Sequence, residues 1–216
     1  MSKPIRVGFM GLNSKDAPSI ASQWGKSAHL PYLQKSPLYT ITALCNSSVE
    51  SSKKAIERYG FDPAKVRAYG DPESLANDPN VDLVVCSVRV GQHYNLCKPA
   101  LLAGKAVFCE WPLASNLQQM NELATLASEK KVKTMLGLQG RNGPYVQAIK
   151  NLIGDGPGQI GKLLSTSMTN QASLLGLTLP QDISYLTKFE VGGNLVTIPG
   201  IHRELLPAIL NKEILC

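Results

Sequence analysis

Aromatic residues make up only 6% of this 216-residue sequence, and charged residues 18%. No apolar run approaches the roughly 20 residues that a membrane-spanning helix needs, so no membrane segment is predicted. Acids are the scarcer charge: 16 Asp and Glu stand against 22 Lys and Arg, a formal net charge of +6. Such an excess raises the question of nucleic acid, but the basic residues are dispersed. The densest group, Lys130, Lys131 and Lys133, closes a helical pattern, where cations complement the helix dipole. No direct nucleic-acid partner is predicted. The five cysteines (Cys45, Cys86, Cys97, Cys109, Cys216) show no CxxC or other ligand spacing. Cys45, Cys86 and Cys109 lie in apolar strand-like runs, where a free thiol behaves as a small hydrophobe. No metal centre is predicted. Met1-Ser2-Lys3-Pro4 leads straight into a strand-like run rather than the apolar stretch of a secretory signal. The expected address is the cytoplasm, with the nucleus compatible.

What is present is alternation. Apolar β-runs at Ile5–Gly11, Tyr39–Cys45, Arg67–Tyr69, Val81–Ser87, Lys105–Glu110 and Val132–Leu138 are separated by helical patterns. The Val81–Ser87 run is continuously apolar, as in strands buried on both faces of a parallel sheet. Helices are predicted from Val49 to Tyr59 and from Gln92 to Ala103, each stopped by a glycine, Gly60 and Gly104. A further helical pattern reaches His29-Leu30-Pro31 and is expected to break at the proline. Asp71-Pro72 supplies an N-cap and a first-turn proline. Ser115-Asn-Leu-Gln118 reads as a capping box, followed by a core-facing stripe of Leu117, Met120, Leu123, Ala124 and Ala127. Short connections between alternating strands and helices predict a doubly wound parallel α/β (Rossmann) sheet. The domain reading is residues 1–140 for that sheet and 141–216 for an incomplete α+β second domain. Within the latter, a helix carries Val146, Ile149, Leu152 and Ile153, the turn Gly154–Gly158 follows, and Ile160–Thr169 reads as a strand.

In such a sheet, ligands lie outside the carboxyl ends of the strands. The loop after the first strand is the natural cradle for a pyrophosphate at a helix N-terminus. Here Gly8 and Gly11 are kept, while Leu12, Asn13 and Ser14 stand where further glycines are common; a plain strand-to-helix turn fits the spacing equally. After the second strand, Asn46, Ser47 and Ser48 offer no acid before Glu50, with Lys53 and Lys54 beyond. An acid there would hold the ribose diol of NAD, so the pattern leans to NADP or to acceptance of either cofactor. The loop Ser87, Val88, Arg89, Val90, Gly91, Gln92 and His93 follows the fourth strand, at the end of the sheet where ribose or nicotinamide would lie. At the fifth strand end, Val107-Phe-Cys-Glu110-Trp111-Pro112-Leu113 puts a carboxylate, an indole and a proline where a cofactor's reactive end would meet a substrate.

The segments IRVGFMGLNS, HLPYL, VDLVVCSVRVGQHY, LLAGKAVFCEWPLA and GGNLVTIPGIH together resemble the glucose–fructose oxidoreductase and inositol dehydrogenase (Gfo/Idh/MocA) family. CEWPLA and LQGRNGPYV are most similar to its fungal branch that includes the galactose-metabolism repressor. The resemblance implies NAD(P) binding, with Gln139 and Arg141 beside the residues above. It implies an oxidoreductase acting on a small hydroxylated or carbonyl compound, in a fungal specialised-metabolite pathway. The alternative it implies is a weakly catalytic or inactive dinucleotide-binding regulator that masks a transcriptional activator. Active members read Glu-Lys-Pro where this chain has Glu110-Trp111-Pro112; the lysine transfers a proton, which an indole does not do. Aligned on Gly192-Gly193, Ile198 takes the place of the family's Asp and His202 that of its catalytic His. Proton transfer would fall to His202, Tyr94 or water. Family members also continue into a sheet that floors the substrate site and mediates oligomerisation, so a shortened second domain is expected, with homo-oligomers where that domain suffices.

Overall fold

The computed structural model describes residues 3–15, 23–153, 181–194, 197 and 198. Backbone proximity divides the chain into Met1–Gly137 with Pro180–Gly193, and Leu138–Leu179 with Asn194–Cys216. Recruitment of the segment around 180–193 to the first unit was not foreseen from sequence.

The first unit is built on six parallel strands: β1 (Ile5–Met10), β2 (Tyr39–Cys45), β3 (Arg67–Tyr69), β4 (Leu83–Cys86), β5 (Ala106–Glu110) and β6 (Thr134–Gly137). Their spatial order is β3-β2-β1-β4-β5-β6, with every pair parallel. The doubly wound Rossmann sheet predicted from the alternation is what forms. Strand alternation sends successive side chains to opposite faces. Val7 and Phe9 of β1, Leu44 of β2 and Val85 of β4 join Leu30, Leu33, Ala55 and Ile56 in one core. Met10, Cys45, Val84, Cys86, Val107 and Cys109 join Leu75, Ala100, Leu101 and Leu123 in the other. Burying a side chain such as Phe9, with none of its surface exposed, contributes about 1.5–3 kcal/mol.

The helices that cover the first face are α1 (Leu30–Lys35) and α2 (Val49–Arg58); those on the second are α3 (Pro72–Ala76), α4 (Val90–Leu102) and α5 (Leu117–Lys130). Asp71 caps α3 by accepting from the Ser74 N–H at 2.7 Å, and Ser48 caps α2 through the Ser51 N–H at 3.1 Å. Two expectations are corrected. Pro31 does not break its helix: it sits in the first turn of α1, where no N–H is needed, and a π-helical turn, Gly25–His29, runs into it. The cap of α5 is Asn116, accepting from Gln119 N–H at 2.9 Å, one residue after the predicted Ser115. Of the predicted stripe, Leu117, 70% exposed, and Ala124 face solvent, while Leu123 and Ala127 are buried.

In the second unit, a 3₁₀ turn (Gln139–Asn142) precedes α6 (Pro144–Ile153), on which Val146 is buried. The predicted turn at 154–158 and strand at 160–169 lie outside the described residues. Two 3₁₀ turns, Gln181–Thr187 and Phe189–Val191, belong to the first unit. Among the described residues no helix is long and apolar enough to cross a membrane.

Candidate functional site

β1 and β4 are neighbours in space though β2 and β3 intervene in sequence. This is the switch point at which a doubly wound sheet opens a crevice. Gly11 makes the crevice possible. Its φ is +104°, and a Cβ there would lie 2.1 Å from the Ser87 carbonyl oxygen, so the two strand-end loops touch backbone to backbone. Gly8, proposed beside it as a cofactor contact, is instead a packing position: a Cβ would meet Leu75 at 3.0 Å and Val81 at 3.1 Å inside the core.

Side chains brace this loop from behind. Leu12 is buried and its carbonyl accepts from Asn46 Nδ2 at 2.8 Å. The Asn13 carbonyl accepts from the Tyr59 hydroxyl at 3.0 Å, and the Ser14 and Ser51 hydroxyls lie 3.1 Å apart. Asn46 therefore holds the loop's shape, while Ser47 is exposed at the β2 end. Lys54 pairs with Glu50 along α2 at 3.5 Å. On the β4 side Ser87 is nearly buried, Val88 is half-buried, and Arg89 stacks its guanidinium 5.3 Å over the Tyr185 ring. In the second unit Gln139 is exposed, and the Arg141 carbonyl accepts from Gln147 Nε2 at 2.9 Å.

The end of β5 is built on both faces of the sheet. Glu110 follows Phe108 by two residues and so shares its face, toward α1. Glu110 is 8% exposed. Its Oε1 accepts from Trp24 Nε1 at 3.2 Å and meets His29 Nε2. Its Oε2 lies over Gly137 of β6, where a Cβ would be 2.9 Å away. The His29 ring meets Phe108 edge-on at 5.1 Å. Trp111 is half-buried, and the peptide to Pro112 is cis.

The opposite face holds Cys86, Cys97 and Cys109, all buried, with His93. Cys86 and Cys109 face each other in the β4–β5 register, and with His93 they bring three ligand-type atoms within 4.8 Å. Linear spacing hid this group. Hydrogen bonds with Cys109 and Cys97, and then burial, hold the Cys86 thiol well above its ordinary range. His93, proposed as a cofactor contact, is corrected to a clamp. Its ring has no exposed surface, and its nitrogens face the Pro112 carbonyl at 2.7 Å and the Val88 carbonyl at 3.0 Å. It ties the β5 loop to the β4 loop.

Tyr94, proposed for proton transfer, is engaged elsewhere. Its hydroxyl accepts from Lys98 Nζ at 2.8 Å, and Lys98 in turn pairs with Glu122 of α5. That hydroxyl serves the α4–α5 contact. The Ile198 N–H donates to the Asn194 carbonyl at 2.9 Å. His202 lies outside the described residues.

Residues 20–138 match the model of the oxidoreductase family with an NAD-binding Rossmann fold, Gfo/Idh/MocA. The chain belongs to that family. The dehydrogenase aclE of Aspergillus oryzae is 38% identical over 202 residues, 94% of this chain and 53% of that protein. A solved structure, the super-repressor mutant of Gal80p from Saccharomyces cerevisiae, is 35% identical with a TM-score of 0.61, covering 69% of this chain and 38% of that one. KijD10, a 3-ketoreductase from Actinomadura kijaniata solved with TDP-benzene and NADP, is 27% identical with a TM-score of 0.57, covering 69% and 42%. The chain spans about half the length of the relatives it matches. Its first unit is an NAD(P)-binding Rossmann domain of the Gfo/Idh/MocA family.

Proposed function

We propose that the chain forms the dinucleotide-binding part of an NAD(P)-dependent oxidoreductase acting on a small hydroxylated or carbonyl compound. The observation that carries the reading is the Gly11–Ser87 backbone contact at the β1–β4 switch, a geometry a core-packing turn does not need. When bound, the cofactor supplies a nicotinamide carbon that exchanges hydride with a substrate carbon. The chain's own residues do the rest. The loop 11–14 takes the pyrophosphate, Ser47 the adenosine ribose or its 2′-phosphate, and Ser87, Val88 and Arg89 the second ribose. Trp111 forms a wall beside the strand end, and Glu110 fixes the position of α1 against it. Gln139 and Arg141 are proposed cofactor contacts, and His202 is the residue that the family resemblance offers for proton transfer.

A second reading has a specific observation in its favour. Trp111 occupies the slot of the family's proton-transferring lysine, and a relative of known structure is a regulatory protein. Under that reading cofactor occupancy tunes contact with a transcriptional activator, and the nucleus becomes a working compartment.

Titration with NADPH and NADH, followed by protein fluorescence, tests the cofactor site. Saturable quenching is expected, lost in Gly11→Val; a chain that responds to neither cofactor sinks both readings. A panel of sugars and polyols, scanned for cofactor reduction, then separates them. Turnover by the wild type supports the oxidoreductase, whereas turnover only by Trp111→Lys identifies a binder.

A further inference from the structure

We propose that His29 is the proton-transferring base of this site and Glu110 its positioning carboxylate, an inference that rests on the oxidoreductase reading above. The two residues are 81 positions apart and meet because β5 alternation aims Glu110 at the α1 face, where the π-helical turn ends in His29. A nucleophilic or basic imidazole is set up when one ring nitrogen is held by a carboxylate and the other is left to the reaction. That division is present. Nε2 of His29 meets Glu110 Oε1, and Nδ1 has no hydrogen-bond partner among the described residues.

The carboxylate itself is well fixed. Trp24 Nε1 donates to the same oxygen at 3.2 Å, and the missing side chain of Gly137 leaves the slot for the other. Glu110 is the charged group that meets His29 among the described residues; its remaining ring neighbours, Trp24 and Phe108, carry no charge. The two exposures differ in the useful direction. The Glu110 side chain is 11% accessible and the His29 side chain 16%, so the base stands outside its orienting partner. π-helical turns are rare and concentrate at functional positions. The pair also lies at the strand end where Trp111 stands in place of the family's lysine.

In the oxidation direction the substrate O–H bond breaks and its proton bonds to Nδ1. The hydrogen on the carbinol carbon leaves with its electron pair to oxidised nicotinamide, and the carbon–oxygen double bond forms. The substrate is oxidised by two electrons, the cofactor reduced by two, and the proton leaves His29 to solvent before the next cycle.

Two measurements on the full chain test this. Diethyl pyrocarbonate acylates an unprotonated imidazole nitrogen that has no partner, and peptide mass spectrometry locates the label among the chain's three histidines. Acylation is expected at His29 ahead of His93, slowed in Glu110→Gln and blocked by NADPH. With any substrate from the panel, His29→Gln is expected to lower turnover about 10²–10⁴-fold, with NADPH affinity unchanged. The pH dependence of the wild-type oxidation rate is expected to flatten in that variant. A His29 no more reactive than His93, or a His29→Gln variant with the wild-type rate and pH profile, overturns the dyad while leaving the oxidoreductase reading intact. A reactive, NADPH-protected His29 in a wild type that turns over nothing overturns the oxidoreductase reading, and the catalytic role with it.

Discussion

Two histidines flank the same strand, β5, and their surroundings have little in common. His93, on the cysteine face, has no exposed surface and both nitrogens turned to main-chain carbonyls. His29, on the Glu110 face, has a carboxylate on one nitrogen and no partner on the other among the described residues. The first ring is consumed in holding two loops together. The second is held by its neighbours and keeps an atom for chemistry. What separates a structural imidazole from a reactive one here is how many of its nitrogens the fold has already used.

The largest test of the contrast is stability. His93→Ala removes a fully buried ring and the hydrogen bonding it supplies between the Pro112 and Val88 carbonyls, so a loss of about 3–5 kcal/mol is expected in urea unfolding. His29→Ala should cost about 1 kcal/mol; equal losses would break the distinction. Gly137→Ala comes next, because its Cβ would press on the Glu110 carboxylate. A loss of about 1–3 kcal/mol is expected, together with slower acylation of His29 and no change at His93. Trp24→Phe keeps the ring and deletes the N–H that Glu110 accepts, costing about 1 kcal/mol and loosening Glu110 without touching the cysteine face.

The smallest effect should come from the amino end of the sheet and serves as the control. Asp82 is bound by the Arg6 guanidinium and main-chain N–H, and those hydrogen bonds lower its carboxyl to about 2. An unfolded Asp titrates near ~3.9. Because the folded value is the lower one, the stabilisation is fully present above about pH 4 and is lost as pH falls toward 2. Thermal melts of Asp82→Asn should match wild type more closely at pH 2 than at pH 5, with both histidine signals unchanged.

Much of the framework was legible in the sequence. The bounds of β2 follow from its apolar run, because buried parallel strands carry their identity in composition; those of the edge strand β3 and the Asp71 cap follow from the turn residues that bracket them. The α5 start was misplaced by one residue because Ser115 and Asn116 are both competent caps, each followed three positions on by a glutamine. Pro31 was misread as a breaker because a first-turn proline and a terminating one look alike until the preceding turn is known. The site was less legible. Gly11, Ser87 and Glu110 could be placed at strand ends by rule, but Glu110's partners depend on which face β5 turns to α1. The cysteine group depends on the β4–β5 register; its one local signal was the helical spacing of His93 and Cys97. Tyr94 looked available because its tie to Glu122, on another helix, has no sequence pattern.

The order of the strands also governs when the molecule can become itself during synthesis. β1 lies between β2, made next, and β4, whose residues follow about seventy positions later. Because β4 ends about 40 residues after β2 does, at roughly 5–20 residues per second of translation the growing chain waits about 2–8 s between the two pairings. For that interval one edge of an apolar strand has no neighbour, and the Gly11 turn has no Ser87 to lie against. The crevice therefore cannot exist on a nascent chain until β4 has left the ribosome, and nucleotide is expected to protect only chains longer than that point.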